Sequence, residues 1–213
     1  MKITIFGAAG EVGSRVVSEA LHRGHEVTAV VRNPTQFSML PQGVIQRTGD
    51  AGIINDVVQL SSGQDLVISA VRPPAGDEAL LAPITKSILI GVAKSNVRLL
   101  VVGGAASLKL PGQGDISVLT APNFLPKEVI NIARACFFQH EICIADKNAD
   151  WAYLSPPAVL IPGTRTGKYR LGSNELIFDR NGVSQISMED FAVVLLDEAE
   201  QPKHQRTRFT TAY

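Results

Sequence analysis

Charge imbalance, long apolar runs and cysteine-rich motifs are all absent from this sequence of 213 residues. Lys plus Arg and Asp plus Glu number 20 each, so no net charge attracts nucleic acid or an anionic membrane. No apolar segment approaches the roughly 20 residues that a membrane helix needs, and the N-terminus has no signal-peptide pattern. We expect a cytoplasmic protein, a monomer or a homodimer, that acts on a small molecule and has no nucleic-acid or membrane partner.

Cysteine and histidine are too few and too scattered for a disulfide framework or a metal site. Cys136 and Cys143 lie seven positions apart, on one face of a predicted helix, and form no CxxC motif. His22, His25 and His204 have no metal-ligand spacing with each other or with the cysteines. We therefore expect two buried or half-buried thiols and no metal.

Glycine, in contrast, is concentrated where it carries information. The segment GAAGEVG at residues 7–13 ends a short apolar strand and begins a predicted helix. Gly7 suits a tight turn, Gly10 lets the backbone approach phosphates, and Gly13 lets the helix pack on the strand. The free N–H groups of a helix start favour an anion. An ordinary tight turn is the alternative, but strand, turn and helix stand in the order that a dinucleotide site requires. The expected cofactor residues here are Gly7, Ala9, Gly10, Glu11, Val12 and Gly13.

Apolar strand-like segments alternate with helical ones along residues 1–150. This alternation predicts an α/β fold, a Rossmann-type doubly wound parallel sheet with helices on both faces. Residues 103–122, rich in Gly, Ser and Pro, predict a long binding loop. The predicted strands are 3–6, 26–31, 44–48, 66–71 and 98–102, and the predicted helices are 11–23, 35–40, 54–60, 78–95 and 126–148.

Residues 151–213 lack this regular alternation. Their pattern predicts strands at 151–155, 174–178, 182–187 and 208–212, an open basic loop at 163–172, and a helix at 191–200 capped by Ser187. We interpret 1–213 as one domain. Residues 1–150 form its dinucleotide-binding core, and 151–213 form a small C-terminal appendage that completes the cleft.

No acid stands at the end of the second predicted strand, where proteins that prefer NAD place one to bind the ribose 2′-hydroxyl. Arg32 stands there instead, and its planar guanidinium suits a 2′-phosphate. A solvated charge at a strand end is the alternative. We expect NADP(H) to be preferred over NAD(H).

The ends of the third and fourth predicted strands carry further candidates, because open α/β sheets bind ligands at that edge. Asp50 either meets the adenine or caps the next helix. Ser69, Ala70 and Val71 are expected beside the cofactor. Arg72 either reaches a phosphate or a substrate, or is an exposed loop residue.

Together these motifs resemble the atypical short-chain dehydrogenase-like proteins usually labelled NAD(P)H-binding proteins or NADH-flavin reductases, which include NmrA-like proteins and relatives similar to biliverdin reductase B. The resemblance covers essentially the whole chain. It implies a Rossmann-type fold and a bound nicotinamide dinucleotide, with Pro156 and Pro157 near the nicotinamide and Gly103 and Gly104 beneath it. The matching segments are 7–13 with Arg32, 49–50, 67–70, 101–105, 151–157, 162–169, 186–192, 202–204 and 208–210.

The Tyr-x-x-x-Lys pair of typical short-chain dehydrogenases is absent, since Pro157 follows Tyr153 and Ser173 follows Tyr169 at that spacing. A flavin, quinone or similar planar acceptor needs no such relay, because alignment of two rings suffices for direct hydride transfer. The sequence therefore leaves two functions open: an NADPH-dependent reductase of such an acceptor, or an NmrA-like NADP(H)-binding regulator without turnover.

The weak candidates for a proton donor are Ser107, Lys127, Tyr153 and His140. Each has a structural alternative, respectively a turn cap, a solvated charge, a buried phenol and a helix boundary residue. The basic cluster Arg165, Lys168 and Arg170 is either a site for the phosphate of FMN, as a flavin substrate, or for another acidic substrate, or a solvated loop.

Overall fold

A computed structural model describes residues 1–213, with ten strands and five α-helices. Three short 3₁₀ helices occupy Pro34–Met39, Glu78–Leu80 and Lys127–Val129. The strands are β1 (Lys2–Phe6), β2 (Glu26–Val31), β3 (Ile45–Thr48), β4 (Leu66–Ser69), β5 (Arg98–Val102), β6 (Trp151–Ser155), β7 (Val159–Ile161), β8 (Arg170–Gly172), β9 (Gln185–Ser187) and β10 (Thr207–Ala212). The α-helices are α1 (Glu11–His22), α2 (Ile54–Ser61), α3 (Leu81–Ser95), α4 (Ile130–Ala145) and α5 (Met188–Glu200).

Eight strands form one sheet in the order β3-β2-β1-β4-β5-β6-β10-β8. Every neighbouring pair is parallel except β10 and β8. The chain leaves β1 toward β2 on one side and later returns to place β4 on the other. This reversal is the position at which open α/β sheets form a ligand crevice. The predicted Rossmann-type parallel sheet is confirmed.

Hydrophobic side chains cover both faces of the sheet. Ile3 and Ile5 of β1 pack in a layer with α1 and α5. Phe6 points the other way, into a second layer with α2, α3 and α4. The central strands are therefore buried on both faces, which explains why their sequences lack a polar alternation.

Two local predictions differ from the structure. Residues 174–178 form no strand, because Leu176 is buried in a small cluster with Leu108, Leu110 and Val118 of the long loop. Its N–H donates to the carbonyl of Lys109 rather than to a neighbouring strand. The second difference is β8, which lies inside the predicted open loop at 163–172 and pairs with β10.

The predicted division at residue 150 also differs, because it passes through the main sheet. β6 pairs with β5, and β10 pairs with β6, so the last third of the chain continues the sheet rather than forming an appendage. The small parallel pair β7 and β9 stands apart from the eight-stranded sheet, which β8 joins as its antiparallel edge strand. None of the helices has both the length and the apolar composition needed to cross a bilayer.

Candidate functional site

A single large cleft opens at the carboxyl ends of the parallel strands, with a volume of about 1010 Å³. Small-molecule sites usually measure about 300–1,000 Å³, so this cleft has room for a large ligand. Residues from the ends of β1 to β6 line it. The predicted cofactor residues along it are Gly7, Ala9, Gly10, Glu11, Val12, Arg32, Asp50, Ala70, Val71, Gly103, Gly104, Pro156 and Pro157.

The turn between β1 and α1 has the geometry of an anion cradle. Gly7 has a φ of +79°, and a Cβ there would lie 2.5 Å from the carbonyl oxygen of Ala70. Gly10 is the N-cap of α1, and because it has no side chain it makes no capping hydrogen bond to the N–H groups of the helix. No protein group accepts a hydrogen bond from the N–H of Glu11 or Val12. Free N–H groups at a helix start suit a diphosphate, so the residues present fit a dinucleotide.

Two predicted cofactor residues do not line the cleft. Gly13 lies behind the turn, where a Cβ would lie 2.0 Å from the carbonyl oxygen of Gly7. It therefore serves the close packing of α1 on β1. Ser69 is buried within β4 and contributes no surface to the cleft.

The end of the cleft beyond β1 carries Arg32 and Asp50. The Arg32 side chain is exposed and has no hydrogen-bond or ion-pair partner in the protein, so its guanidinium is free to bind an anion. Asp50 Oδ1 accepts from the N–H of Gly52 at 2.8 Å, which shapes the turn after β3. Asp50 does not cap α2, whose N-cap is Ile53.

Tyr153 is fully buried rather than poised in the cleft. Its Oη accepts from the N–H of Gly104 at 3.0 Å and lies 3.1 Å from Oε1 of Gln139, to which it donates. Burial holds the pKa of this phenol well above its usual value. The structure thus places Tyr153 as the buried phenol that was the alternative to a proton donor, with a hydroxyl that connects β6 to α4 and to the turn after β5.

Ser107 is likewise held away from the cleft. Its Oγ accepts from Nη1 of Arg208 at 2.6 Å and lies 3.2 Å from Nδ1 of His140. Burial, and after it the charge of Arg208, lowers the pKa of His140 to about 4, so this imidazole is neutral at pH 7. The structure thus removes Ser107 and His140 as cleft proton donors.

The basic candidates also lie outside the cleft lining. Lys127 is exposed at the start of the 3₁₀ helix before α4. Arg165 binds Glu19 at 2.7 and 2.8 Å, and Arg170 donates to the backbone carbonyls of Tyr213 and Phe178. Two members of the basic cluster, Arg165 and Arg170, therefore make contacts within the fold, while Lys168 is an exposed loop residue.

Sequence reasoning missed most of the opposite end of the cleft. Its wall comes from α3, the end of the long loop and α4, which no short motif connects. The sequence of α4 did offer one signal. Apolar residues lie on nearly all sides of this helix, so the helix has to contact more than one surface. The missed lining residues include Leu80, Leu81, Ile84, Leu125, Val129, Ile132, Ala133, Cys136 and Gln139.

Gln139 is the notable polar residue of this wall, because it is only 2% exposed. Its Oε1 accepts from Tyr153, while its Nε2 has no partner in the protein. Cys136 lies beside Gly104, and burial raises the pKa of its thiol to about 11, so it is not a thiolate at pH 7. No group of His, Cys, Asp and Glu side chains in the chain has the arrangement of a metal site.

A crevice at the switch point of a parallel sheet, with a glycine turn at a helix N-terminus, defines a Rossmann-type dinucleotide-binding protein. Residues 7–202 match the family model described as NAD(P)H-binding. The chain belongs to this NAD(P)H-binding family, and within it to the atypical short-chain dehydrogenase-like proteins.

Similar proteins cover the whole chain. The uncharacterized protein YwnB of Bacillus subtilis (strain 168) is 36% identical over 217 residues, which covers 99% of this chain and 97% of that protein. A crystal structure from Bacteroides thetaiotaomicron, provisionally named an epimerase, is 38% identical with a TM-score of 0.89 and coverage of 100% and 96%. A crystal structure from Streptococcus pneumoniae TIGR4, provisionally named an NADH-flavin reductase, is 31% identical with a TM-score of 0.89 and coverage of 100% and 99%.

Proposed function

We propose that the protein is a reductase that uses NADPH in preference to NADH and reduces a flavin, a quinone or a similar planar acceptor. One observation carries the proposal. The free helix start at Gly10, the unpaired Arg32 and an apolar pocket beside Gly104 lie along one continuous cleft. That cleft has room for a dinucleotide and for a flat molecule beside it.

The role of the protein in this reaction is to bind and align NADPH and the acceptor rather than to relay protons. NADPH, when bound, supplies a hydride, so that with one proton from solvent the acceptor gains two electrons and two hydrogens and NADP⁺ is left. The N–H groups at the start of α1 would hold the diphosphate, and Pro156 and Pro157 would close over the nicotinamide. Alignment of the two rings then suffices, because a conjugated acceptor spreads the incoming charge.

The preference for NADPH rests on Arg32. A guanidinium without a partner at the end of β2 suits a 2′-phosphate, and no carboxylate is present there to bind a 2′-hydroxyl. The name of the Streptococcus pneumoniae relative refers to NADH and flavin. It supports the flavin class of acceptor, while the preference between the two nucleotides comes from this chain's own residue.

A regulator that binds NADP(H) without turning it over is the second candidate. The positions of Tyr153 and Ser107 favour it, because both hydroxyls are hydrogen-bonded within the fold and neither residue lines the cleft. A cytoplasmic location and a monomeric or homodimeric state belong to the proposal in either case. Cell fractionation and light scattering check them.

Steady-state oxidation of NADPH with FMN, riboflavin and a quinone panel separates the two functions. A reductase should turn over within the usual range of about 1–10³ s⁻¹ with at least one acceptor. Turnover below about 10⁻² s⁻¹, together with tight NADP⁺ binding, would support the regulator instead. Dissociation constants for NADPH and NADH, measured on the same protein, test the cofactor preference.

A further inference from the structure

Arg72 is the one cation on the acceptor side of the cleft. It lines the cavity, its side chain is exposed, and it forms no hydrogen bond or ion pair within the protein. Arg32, the other cationic lining residue, belongs to the far end. The carboxylates in the lining are Glu11, Asp50 and Asp77, and none of them is paired with Arg72.

The backbone presents Arg72 from a stiff segment. Arg72 precedes Pro73 and Pro74, and a residue before proline is confined to extended conformations. The N–H of Asp77 donates to the carbonyl of Pro74 at 3.1 Å, which closes a turn just beyond the prolines. Binding an anion here therefore costs the ordering of one side chain and no rearrangement of a loop.

The location of Arg72 points to the acceptor rather than to the adenosine. The segment that begins at Arg72 leads into the 3₁₀ helix Glu78–Leu80, which packs against α4, and α4 forms the wall of the cleft on the side of Cys136. The same side of the cleft is lined by Leu81, Val129 and Ile132, which suit a flat apolar body. A guanidinium beside an apolar wall matches a planar molecule with an acidic substituent.

We propose that the acceptor carries an acid group, a carboxylate or a phosphate, on its planar body, and that Arg72 binds this group. The inference rests on the proposed reductase function and adds the charge of the acceptor to it. The other source of an anion in this cleft is the diphosphate of the cofactor. The experiment therefore measures the binding of the acceptor and the binding of the cofactor separately.

Two pairs of probes differ in an acid group: FMN with riboflavin, and anthraquinone-2-sulfonate with anthraquinone. Wild-type protein should have a higher kcat/KM for the acid of at least one pair. Arg72→Ala should lower kcat/KM for that acid about tenfold, as expected for losing a hydrogen bond to a charged group. The neutral partner should be unchanged within about twofold, and Arg72→Lys should retain part of the preference. Arg180→Ala, an exposed arginine outside the cleft, is the matched control and should change nothing.

Dissociation constants keep this test separate from the proposed function. If no probe is reduced, the reductase proposal fails, but binding of the same probes to NADP⁺-saturated protein still reveals any preference for the acid. The Arg72 proposal is contradicted if the acid and neutral members of both pairs bind equally, or if neither acid binds. It is also contradicted if Arg72→Ala weakens NADP⁺ binding as strongly as acid binding, because Arg72 then belongs to the cofactor site.

Discussion

The two halves of the cleft are built differently. The cofactor half consists of short turns that directly follow β1, β2 and β3, and backbone N–H groups and one arginine supply its polar contacts. The acceptor half is assembled from α3, α4, the long loop after β5 and the segment after β6, and side chains supply most of its surface. A backbone site depends on glycine and on hydrogen-bond geometry, whereas a side-chain site depends on the packing of distant segments.

This difference predicts that the two halves tolerate substitution unequally. The geometry at Gly7, where a Cβ would meet the carbonyl of Ala70, admits little change. A wall of aliphatic residues tolerates substitution of similar volume. We therefore expect substitutions to be tolerated less well in the cofactor half than in the acceptor half. The following predictions run from the largest expected effect to the smallest.

Gly13→Ala should give the largest effect, because its Cβ would lie 2.0 Å from the backbone oxygen of Gly7. Overpacking against backbone costs about 1–3 kcal/mol of folding free energy or more. NADP⁺ binding should also weaken by about tenfold or more, since the turn has to shift. Urea unfolding and calorimetric titration measure the two losses.

Gly24→Ala is the control, because nothing lies near a Cβ there although its φ is +77°. Gly24→Ala should lose some stability and keep the NADP⁺ affinity of the wild type. An unchanged NADP⁺ affinity in Gly13→Ala would contradict the claim that the cofactor half depends on backbone geometry.

Arg32→Ala should weaken NADPH binding by about ten- to a hundredfold, the value of a hydrogen bond to a charged group, and leave NADH binding nearly unchanged. The ratio of the two dissociation constants isolates the 2′-phosphate, because the remainder of the dinucleotide is the same. Lys168→Ala removes an exposed charge outside the cleft and is the control. Equal losses for both nucleotides would show that Arg32 contributes only a general charge.

Tyr153→Phe should lower stability and leave chemistry nearly intact. The hydroxyl accepts from Gly104 and donates to Gln139 inside the fold, so its removal should cost about 1–3 kcal/mol of unfolding free energy. Turnover of NADPH should change less than about tenfold, because the phenol is fully buried and does not line the cleft. A collapse of kcat with unchanged stability would instead make Tyr153 a proton donor.

Glu19→Gln should have the smallest effect and should depend on pH. Glu19 on α1 binds Arg165, whose loop follows the cleft residues after β6, and so ties the two halves together. The hydrogen bonds from Arg165, and after them those from Arg23, lower the pKa of Glu19 from 4.5 to about 2. The folded state therefore gains stability above the unfolded pKa and loses it as pH falls from about 5 to 2.

Denaturant unfolding of wild type and Glu19→Gln across that range measures this contribution. The difference in stability should be about 1–2 kcal/mol at pH 7, reduced by the partial exposure of Arg165, should fall steeply below pH 5 and should vanish only below pH 2. Glu26→Gln, an exposed glutamate without an ion pair, should track wild type. A difference that keeps its pH 7 value down to pH 2 would mean that Glu19 acts through packing.

The sequence predicted the cofactor half well because its signals are local. The turn at 7–13, the strand ends and the helix cap at Ser187 each depend on a few neighbouring residues, and the structure shows each of them. The acceptor half could not be predicted in the same way. Cys136 meets Gly104 and Gln139 meets Tyr153 only because α4 packs against β6, and Arg208 reaches Ser107 across 101 positions. Patterns in a single sequence do not show which distant segments come into contact.

The direct test of the central claim is single-turnover oxidation of NADPH, deuterated at one or the other C4 position, with FMN under anaerobic conditions. The account holds that one cleft aligns nicotinamide and acceptor for direct hydride transfer, so only one face of the nicotinamide can meet the acceptor. Deuterium at one position should slow the reaction, and deuterium at the other should have only a minor effect. Oxidation no faster than in the absence of protein, or equal rates for both isotopologues and unlabelled NADPH with chemistry limiting, would contradict it.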